Sequence, residues 1–274
     1  MTPGRPRGSL ISRLARVARR ATARIPDAPV FVVGNQKSGT SAVAGLLGLA
    51  TGRSACIDLP RANRRRMYLP LHAGELGLDR FIALNRESFA HPIVKEPNLT
   101  PFLGPLLDRF PRSRVVFIVR DPRDNLRSIL QRLDLPGDAE DLPAERIAAT
   151  PGSWPLVLDG RWLGIAGDTV IEQLAGRWTH LLNVWRSSHD RVELLRYEEF
   201  MRDRRACIES LAGRLGLEVR RDIAAEVDRP FQPRGDASVG WRTFFGQRNL
   251  DRIIAGCRGG MEELGYDPEK ESGS

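Results

Sequence analysis

Lysine is almost missing from this chain: its 274 residues include 39 arginines but only Lys37, Lys95 and Lys270. Arginine stands wherever a generic positive charge suffices, so a retained lysine inside a motif marks a need for a compact, rotatable ammonium that a flat guanidinium cannot replace. Lys37 and Lys95 fall inside motifs, and Lys270 lies in the polar tail. Cysteine is also scarce. Cys56, Cys207 and Cys257 are odd in number, far apart and without a C-x-x-C pair, which argues against a disulfide framework or a zinc site and fits a reducing compartment. No metal-binding cluster is evident. No apolar run approaches the ~20 residues that a membrane span requires. No uninterrupted apolar stretch follows the N-terminal charges, which disfavours a secretory signal. There is no internal repeat.

The net charge of +8 is unevenly spread. Residues 1–28 hold Arg5, Arg7, Arg13, Arg16, Arg19, Arg20 and Arg24 against Asp27 alone, which accounts for six of the eight charges. The remainder is nearly balanced, which argues against nucleic acid as partner. Leu10, Ile11, Leu14, Val17 and Ala18 fall at helical spacing among those arginines. Two readings stand: a solvated arm, or a basic amphipathic helix resting on anionic lipid or on an acidic partner. A cytoplasmic location, with or without peripheral membrane contact, follows from either. The expected division is a basic arm at 1–28, one domain at 29–266 and a polar tail at 267–274. Length and a 41% hydrophobic content allow one substantial core.

The domain is organised around Pro29–Leu49. Val30–Val33 is a β-branched apolar run, residues 34–41 form a loop with Gly34 and Gly39, and a helix-spaced apolar run follows to Leu49. Such a strand, loop and helix can converge the amides of residues 37–41 at a helix N-terminus, where unpaired N–H groups and the helix dipole favour an anion. The nucleotide-triphosphate loop G-x-x-x-x-G-K-[ST] needs lysine directly after the second glycine, but Thr40 holds that place here. Lys37 stands two residues before Gly39 instead, which weakens the alternative of a nucleotide-dependent kinase. A non-catalytic binding module is the third reading.

Further apolar segments, Pro92–Pro97, Arg114–Val119 and Val192–Tyr197, alternate with helix-patterned stretches at about 99–110, from Asp121 onward, after Thr169, and at 203–215 and 249–264. This alternation predicts βαβ units: an α/β three-layer sandwich, with a mostly parallel sheet, helices on both faces and a phosphate-binding loop after the first strand. Asp121 with Pro122, and the Thr169/Glu172 pair, read as helix starts. Residues 51–75 and 134–166 lack a period and read as loop or lid segments. Arg64, Arg65 and Arg66 lie in the first of them as a basic turn, solvated or facing an acidic substrate.

Four motifs in order resemble the sulfotransferases that use PAPS (3′-phosphoadenosine-5′-phosphosulfate). The loop Gln36-Lys37-Ser38-Gly39-Thr40-Ser41 is similar to the family's 5′-phosphosulfate loop. Arg120 at a strand end and Ser128 eight residues on match the pair that holds the 3′-phosphate. Tyr197-Glu-Glu matches the motif near the adenosine. Arg234-Gly235 with Trp241 resembles the C-terminal loop that closes over the 3′-phosphate, with Asp236 a departure. The resemblance implies sulfuryl transfer from PAPS, leaving adenosine 3′,5′-bisphosphate (PAP), to a hydroxyl or amine of a small-molecule, glycan or lipid acceptor. Lys37 would neutralise the leaving phosphate. For the general base Glu96 and Asp58 stand equal, with Glu75 and His72 behind; strand alternation leaves open whether Glu96 faces Lys37. The adenine-stacking Trp of many cytosolic members is Ala42 here, so another aromatic is expected to do that work.

Overall fold

The computed structural model describes residues 23–139, 141–232, 235–236 and 238–270. The amphipathic pattern at residues 10–18, most of the basic arm, Arg234 and residues 271–274 of the tail lie outside the described residues.

Five short apolar segments form a parallel sheet: β1 (Val30–Gly34), β2 (Ala55–Ile57), β3 (Ile93–Lys95), β4 (Arg114–Val119) and β5 (Val192–Arg196), in the order β2-β3-β1-β4-β5. β1 is central, with Val30 in register with Ile93 on one side and Arg114 on the other. Successive side chains point to opposite faces of a strand. Phe31, Val33, Val115, Phe117 and Val119 therefore enter one core, while Val30, Val32, Val116 and Ile118 enter the other. Both faces must be covered, and this is why the strands read as continuous apolar runs.

The second face is covered by α1 (Thr40–Thr51), through Val43, Leu46 and Leu47, and by a later helix, Arg204–Arg214, through Ile208 and Leu211. The first face carries α2 (Leu103–Arg109), α3 (Pro122–Arg132) and α4 (Val170–Arg186), with Leu106, Ile129 and Trp178 among their buried residues. α5 (Tyr197–Arg202), α6 (Arg204–Arg214) and α7 (Trp241–Glu263) follow β5, and α7 packs onto α4, where Gly260 sits against Trp178 and Leu182. The three-layer α/β sandwich expected from the sequence is the observed architecture.

Local stops act as their chemistry predicts. Asp121 caps α3 by accepting from the Arg123 amide at 2.9 Å, and Thr169 and Glu172 form a reciprocal capping box at the start of α4. The differences also have physical causes. The helix expected from 99 begins as a 3-10 turn, Pro97–Phe102, because two prolines supply no N–H, and becomes α-helical at Leu103. α7 starts at Trp241 rather than 249, its first turns hidden from periodicity by a kink at Gly246 (φ +68°). Residues 51–75 are not a loop: they contain β2 and the short helices Pro60–Arg64 and Tyr68–His72.

Candidate active site

In a parallel sheet all strands end on one edge, and ligands bind there. The strand order therefore sets five positions side by side: Asp58 after β2, Lys95 at the end of β3, the 34–41 loop after β1, Arg120 after β4 and Tyr197 after β5. A cavity of about 340 Å³ opens over the β1, β4 and β5 end of this row, lined by Lys37, Gly39, Ser41, Arg120, Ser128, Tyr197 and Gly235.

The loop is shaped by two glycines and one strained lysine. Gly34 adopts φ +133°, and a Cβ there would lie 2.2 Å from the Ile118 carbonyl oxygen. Gly39 adopts φ +89° directly under the Tyr197 ring, which a Cβ would strike at 2.4 Å. Lys37 itself has φ +66°, in the left-handed region. Side chains hold the loop from behind. Thr100 Oγ1 accepts from the Gly34 amide at 3.0 Å and donates to its carbonyl at 2.9 Å, and Asn125 Nδ2 donates to the Gln36 carbonyl at 2.8 Å and to Ser38 Oγ at 3.0 Å.

The front of the loop is left open to a ligand. α1 starts at Gly39 without a side-chain cap, whereas Asp121, Thr169 and Asp203 cap α3, α4 and α6. Ser41 Oγ and Arg120 Nε are buried and have no hydrogen-bond partner among the described residues. Arg120 Nη1 donates to the Lys37 carbonyl at 3.2 Å, and its guanidinium lies 4.6 Å over the Tyr197 ring. Neither nearby acid pairs with it: Asp121 is taken by Arg123 at 2.8 Å and Asp124 by Arg127 at 2.5 Å. Lys37 sits in a cationic, half-buried position. Burial, then the charges of Arg132, Arg120 and Lys95, push its pKa down to about 8.

On the β2 and β3 side, Lys95 Nζ meets Asp58 Oδ1 at 2.5 Å, and the Asp58 amide donates to the Lys95 carbonyl at 3.0 Å. Lys95 is buried, while the Asp58 side chain is 40% exposed and its backbone left-handed at φ +57°. Glu96 is different. It is 1% exposed, and its carboxylate accepts from the Leu59 amide at 3.1 Å, the Asn98 amide at 3.1 Å, Asn98 Nδ2 at 2.8 Å and the Tyr68 hydroxyl. Burial, then repulsion from Asp58, raises its pKa. Alternation on the strand thus turns Glu96 inward, where four donors occupy it. His72 bonds through Nε2 to the Asn98 carbonyl at 3.0 Å, and its ring lies 4.0 Å from that of Trp162. Burial lowers its pKa to about 4. Glu75 is exposed beyond the His72 turn.

A model of the sulfotransferase domain matches residues 27–231. The chain belongs to the sulfotransferase family. No curated protein sequence matches it. Its fold is similar to that of the sulfotransferase STF9 from Mycobacterium avium, at 12% identity and TM-score 0.54, covering 94% of this chain and 81% of that one. STF1 from Mycobacterium tuberculosis aligns at 12% identity and TM-score 0.48, covering 89% of this chain and 81% of that one. Mouse SULT7A1, solved with PAP, aligns at 16% identity and TM-score 0.43, covering 78% of this chain and 68% of that one.

Not every expected donor residue of this sulfotransferase lies at the cavity. Ser38 and Thr40 are buried in the loop and at the start of α1. The Gln36 side chain turns to the rear, donating to Asn98 Oδ1 at 3.1 Å and accepting from Arg177 at 3.3 Å, so it supports the loop instead of facing an anion. One aromatic not singled out in the sequence, Phe231, lines the cavity with Phe200, Met201, Val227 and Pro230. Its ring fills the notch at Gly45, where a Cβ would lie 2.0 Å from it. The signal was present as Ala42 and Gly45 at i, i+3, two small residues on one face of α1 that leave a groove for a ring.

Proposed function

We propose that this chain transfers a sulfuryl group from PAPS to a hydroxyl or amine acceptor, with the donor laid across the ends of β1, β4 and β5 and the acceptor admitted from the β2 and β3 side. The observation that carries the assignment is Arg120, which meets no carboxylate among the described residues, next to an uncapped helix N-terminus and two buried polar atoms without a partner there, Ser41 Oγ and Arg120 Nε. These fit a polyanion, and the apolar end at Phe200 and Phe231 fits an adenine ring.

PAPS supplies an activated sulfuryl group. Lys37 and the amides at the start of α1 hold the 5′ end and neutralise the charge that grows on the leaving phosphate. Arg120 and Ser128, with Gly235 and Arg234 of the C-terminal loop, read the 3′-phosphate, and Tyr197 flanks the nucleoside. Asp58, partly exposed at the open end of the row, takes the acceptor's proton as general base. Lys95 orients it through the 2.5 Å pair. Glu96 serves this arrangement as a buried strut: by binding Leu59 and Tyr68 it fixes the segment that presents Asp58.

The acceptor is a small molecule, glycan or lipid and not a nucleic acid, in keeping with the near-balanced charge of residues 29–274. Among the described residues no helix is long and apolar enough to cross a membrane. A cytoplasmic location, with residues 1–28 resting on anionic lipid, agrees with the seven arginines there.

Arg120→Ala tests the assignment. A hydrogen bond to a charged group contributes about 1.5–3 kcal/mol, and about 1.4 kcal/mol is tenfold in affinity. PAP should bind roughly tenfold or more weakly to the variant by isothermal titration, whereas adenosine 5′-phosphate should lose far less. Equal losses for both ligands would mean that Arg120 acts only through the Lys37 carbonyl.

A further inference from the structure

A second acid-free arginine lies behind the anion loop. Arg177, in the middle of α4, is completely buried, and burial lowers its pKa to about 10. A buried cation ordinarily needs a paired carboxylate, but no Asp or Glu meets this one among the described residues. Its three partners are neutral. Nε donates to Asn35 Oδ1 at 3.2 Å, Nη2 to Gln36 Oε1 at 3.3 Å and Nη1 to the Leu156 carbonyl at 3.4 Å.

The first two partners belong to the loop, and the hydrogen bonds leaving them divide: Gln36 Nε2 donates to Asn98 Oδ1 at 3.1 Å, while the bonds from Asn35 return to the loop. Asn35 Nδ2 donates to Asn125 Oδ1 at 2.8 Å, and Asn125 Nδ2 donates in turn to the Gln36 carbonyl and to Ser38 Oγ. In the Asn35 branch every donor points away from Arg177 and toward the loop that carries Lys37. Hydrogen bonds aligned head to tail polarise one another in a low-dielectric interior. The same contacts fix the Asn35 and Gln36 side chains, and with them the left-handed turn at Lys37.

We propose that Arg177 is a positioning residue of the anion loop: it clamps Asn35 and Gln36 from behind, and its charge is balanced by the bound anion instead of by a protein carboxylate. The inference rests on the reading of the loop as the 5′-phosphosulfate site, and it makes a demand that a purely structural arginine does not. Removing the charge should weaken anion binding while sparing the ligand-free fold, because the ligand-free protein bears the desolvation cost of an unpaired cation.

The test uses the full chain with Arg177→Met, which keeps volume and loses charge, and Arg177→Lys, which keeps charge and loses the fork. Inorganic pyrophosphate and PAP are the probes, titrated by calorimetry, with thermal unfolding followed with and without each. The Met variant should bind both probes at least tenfold more weakly than wild type, and its ligand-free melting temperature should stay within a few degrees. The Lys variant should recover part of the loss. Affinities within twofold of wild type in a folded Met variant would overturn the proposal, as would a large drop in ligand-free stability with affinity retained. If the Met variant does not fold, the Lys variant decides: a threefold or greater loss of pyrophosphate affinity supports the clamp, and wild-type affinity overturns it. Pyrophosphate also separates the two levels of inference. Wild-type protein that binds pyrophosphate but not PAP would refute the donor assignment and leave the clamp standing.

Discussion

Lys37→Ala is expected to leave a folded protein that still binds PAP but turns over on the order of 10²–10³ times more slowly, the usual loss when one preorganised group at a developing charge is removed. The asymmetry between binding and rate follows from where the charge is. Charge on the leaving phosphate is greatest in the transition state, so the ammonium is worth more there than in the ground state. The same lysine sets a pH dependence. Its ammonium is the anion-binding form, and burial among Arg132, Arg120 and Lys95 holds its pKa at about 8. PAP affinity should therefore fall as pH rises through about 8. For the ligand-free fold the sign is reversed. An unfolded lysine keeps its proton up to 10.5 whereas the folded one releases it near 8, so between these values the unfolded state binds more protons and stability rises with pH. Steady-state kinetics and titrations between pH 7 and 9 check both points. Unchanged turnover in the folded variant, or the same affinity loss in it across this range, would remove Lys37 from the role.

Asp58→Asn carries the other large effect. A positioned general base contributes about 10²–10⁴-fold, so kcat should drop within that range while PAP binds as before. Glu96→Gln should fail in another way. Four donors converge on the Glu96 carboxylate, and a Gln amide nitrogen cannot accept from any of them. That variant should lose stability, at a cost of about 1–3 kcal/mol for each buried group left unpaired. A Glu96→Gln protein of normal melting temperature and no turnover, beside an active Asp58→Asn protein, would move the base to Glu96.

The two carboxylates also show where sequence reading runs out. The strand, loop and helix around residues 34–41 were legible because their requirements are local: two glycines where φ is positive, a lysine kept in an arginine-rich chain, and a helix behind. β1, β3, β4 and β5 were legible because both faces are buried, which writes them as apolar runs, whereas β2, three residues long and only partly buried, was not. Glu96 and Asp58 could not be separated, because what separates them is tertiary: whether Leu59 and Tyr68 arrive from another segment to join the local Asn98 cap and occupy one of them. Arg177 was invisible for the same reason, since it reads as one polar residue on the amphipathic α4 and only the fold aims it at Asn35 and Gln36. Phe231 lay in a stretch without a period, three residues before the Arg234-Gly235 motif. Its place at the cavity follows from the notch at Gly45, which its ring fills.

On the proposed reading, the row of strand ends selects a nucleotide carrying phosphates at both its 3′ and 5′ positions. Isothermal titration of the wild-type chain with PAP, adenosine 5′-phosphate and Mg-ATP tests it most directly. PAP should bind at least tenfold more tightly than either of the others, because only PAP presents a 3′-phosphate to Arg120 and Ser128. Mg-ATP binding as tight as PAP, or no preference between PAP and adenosine 5′-phosphate, would contradict it.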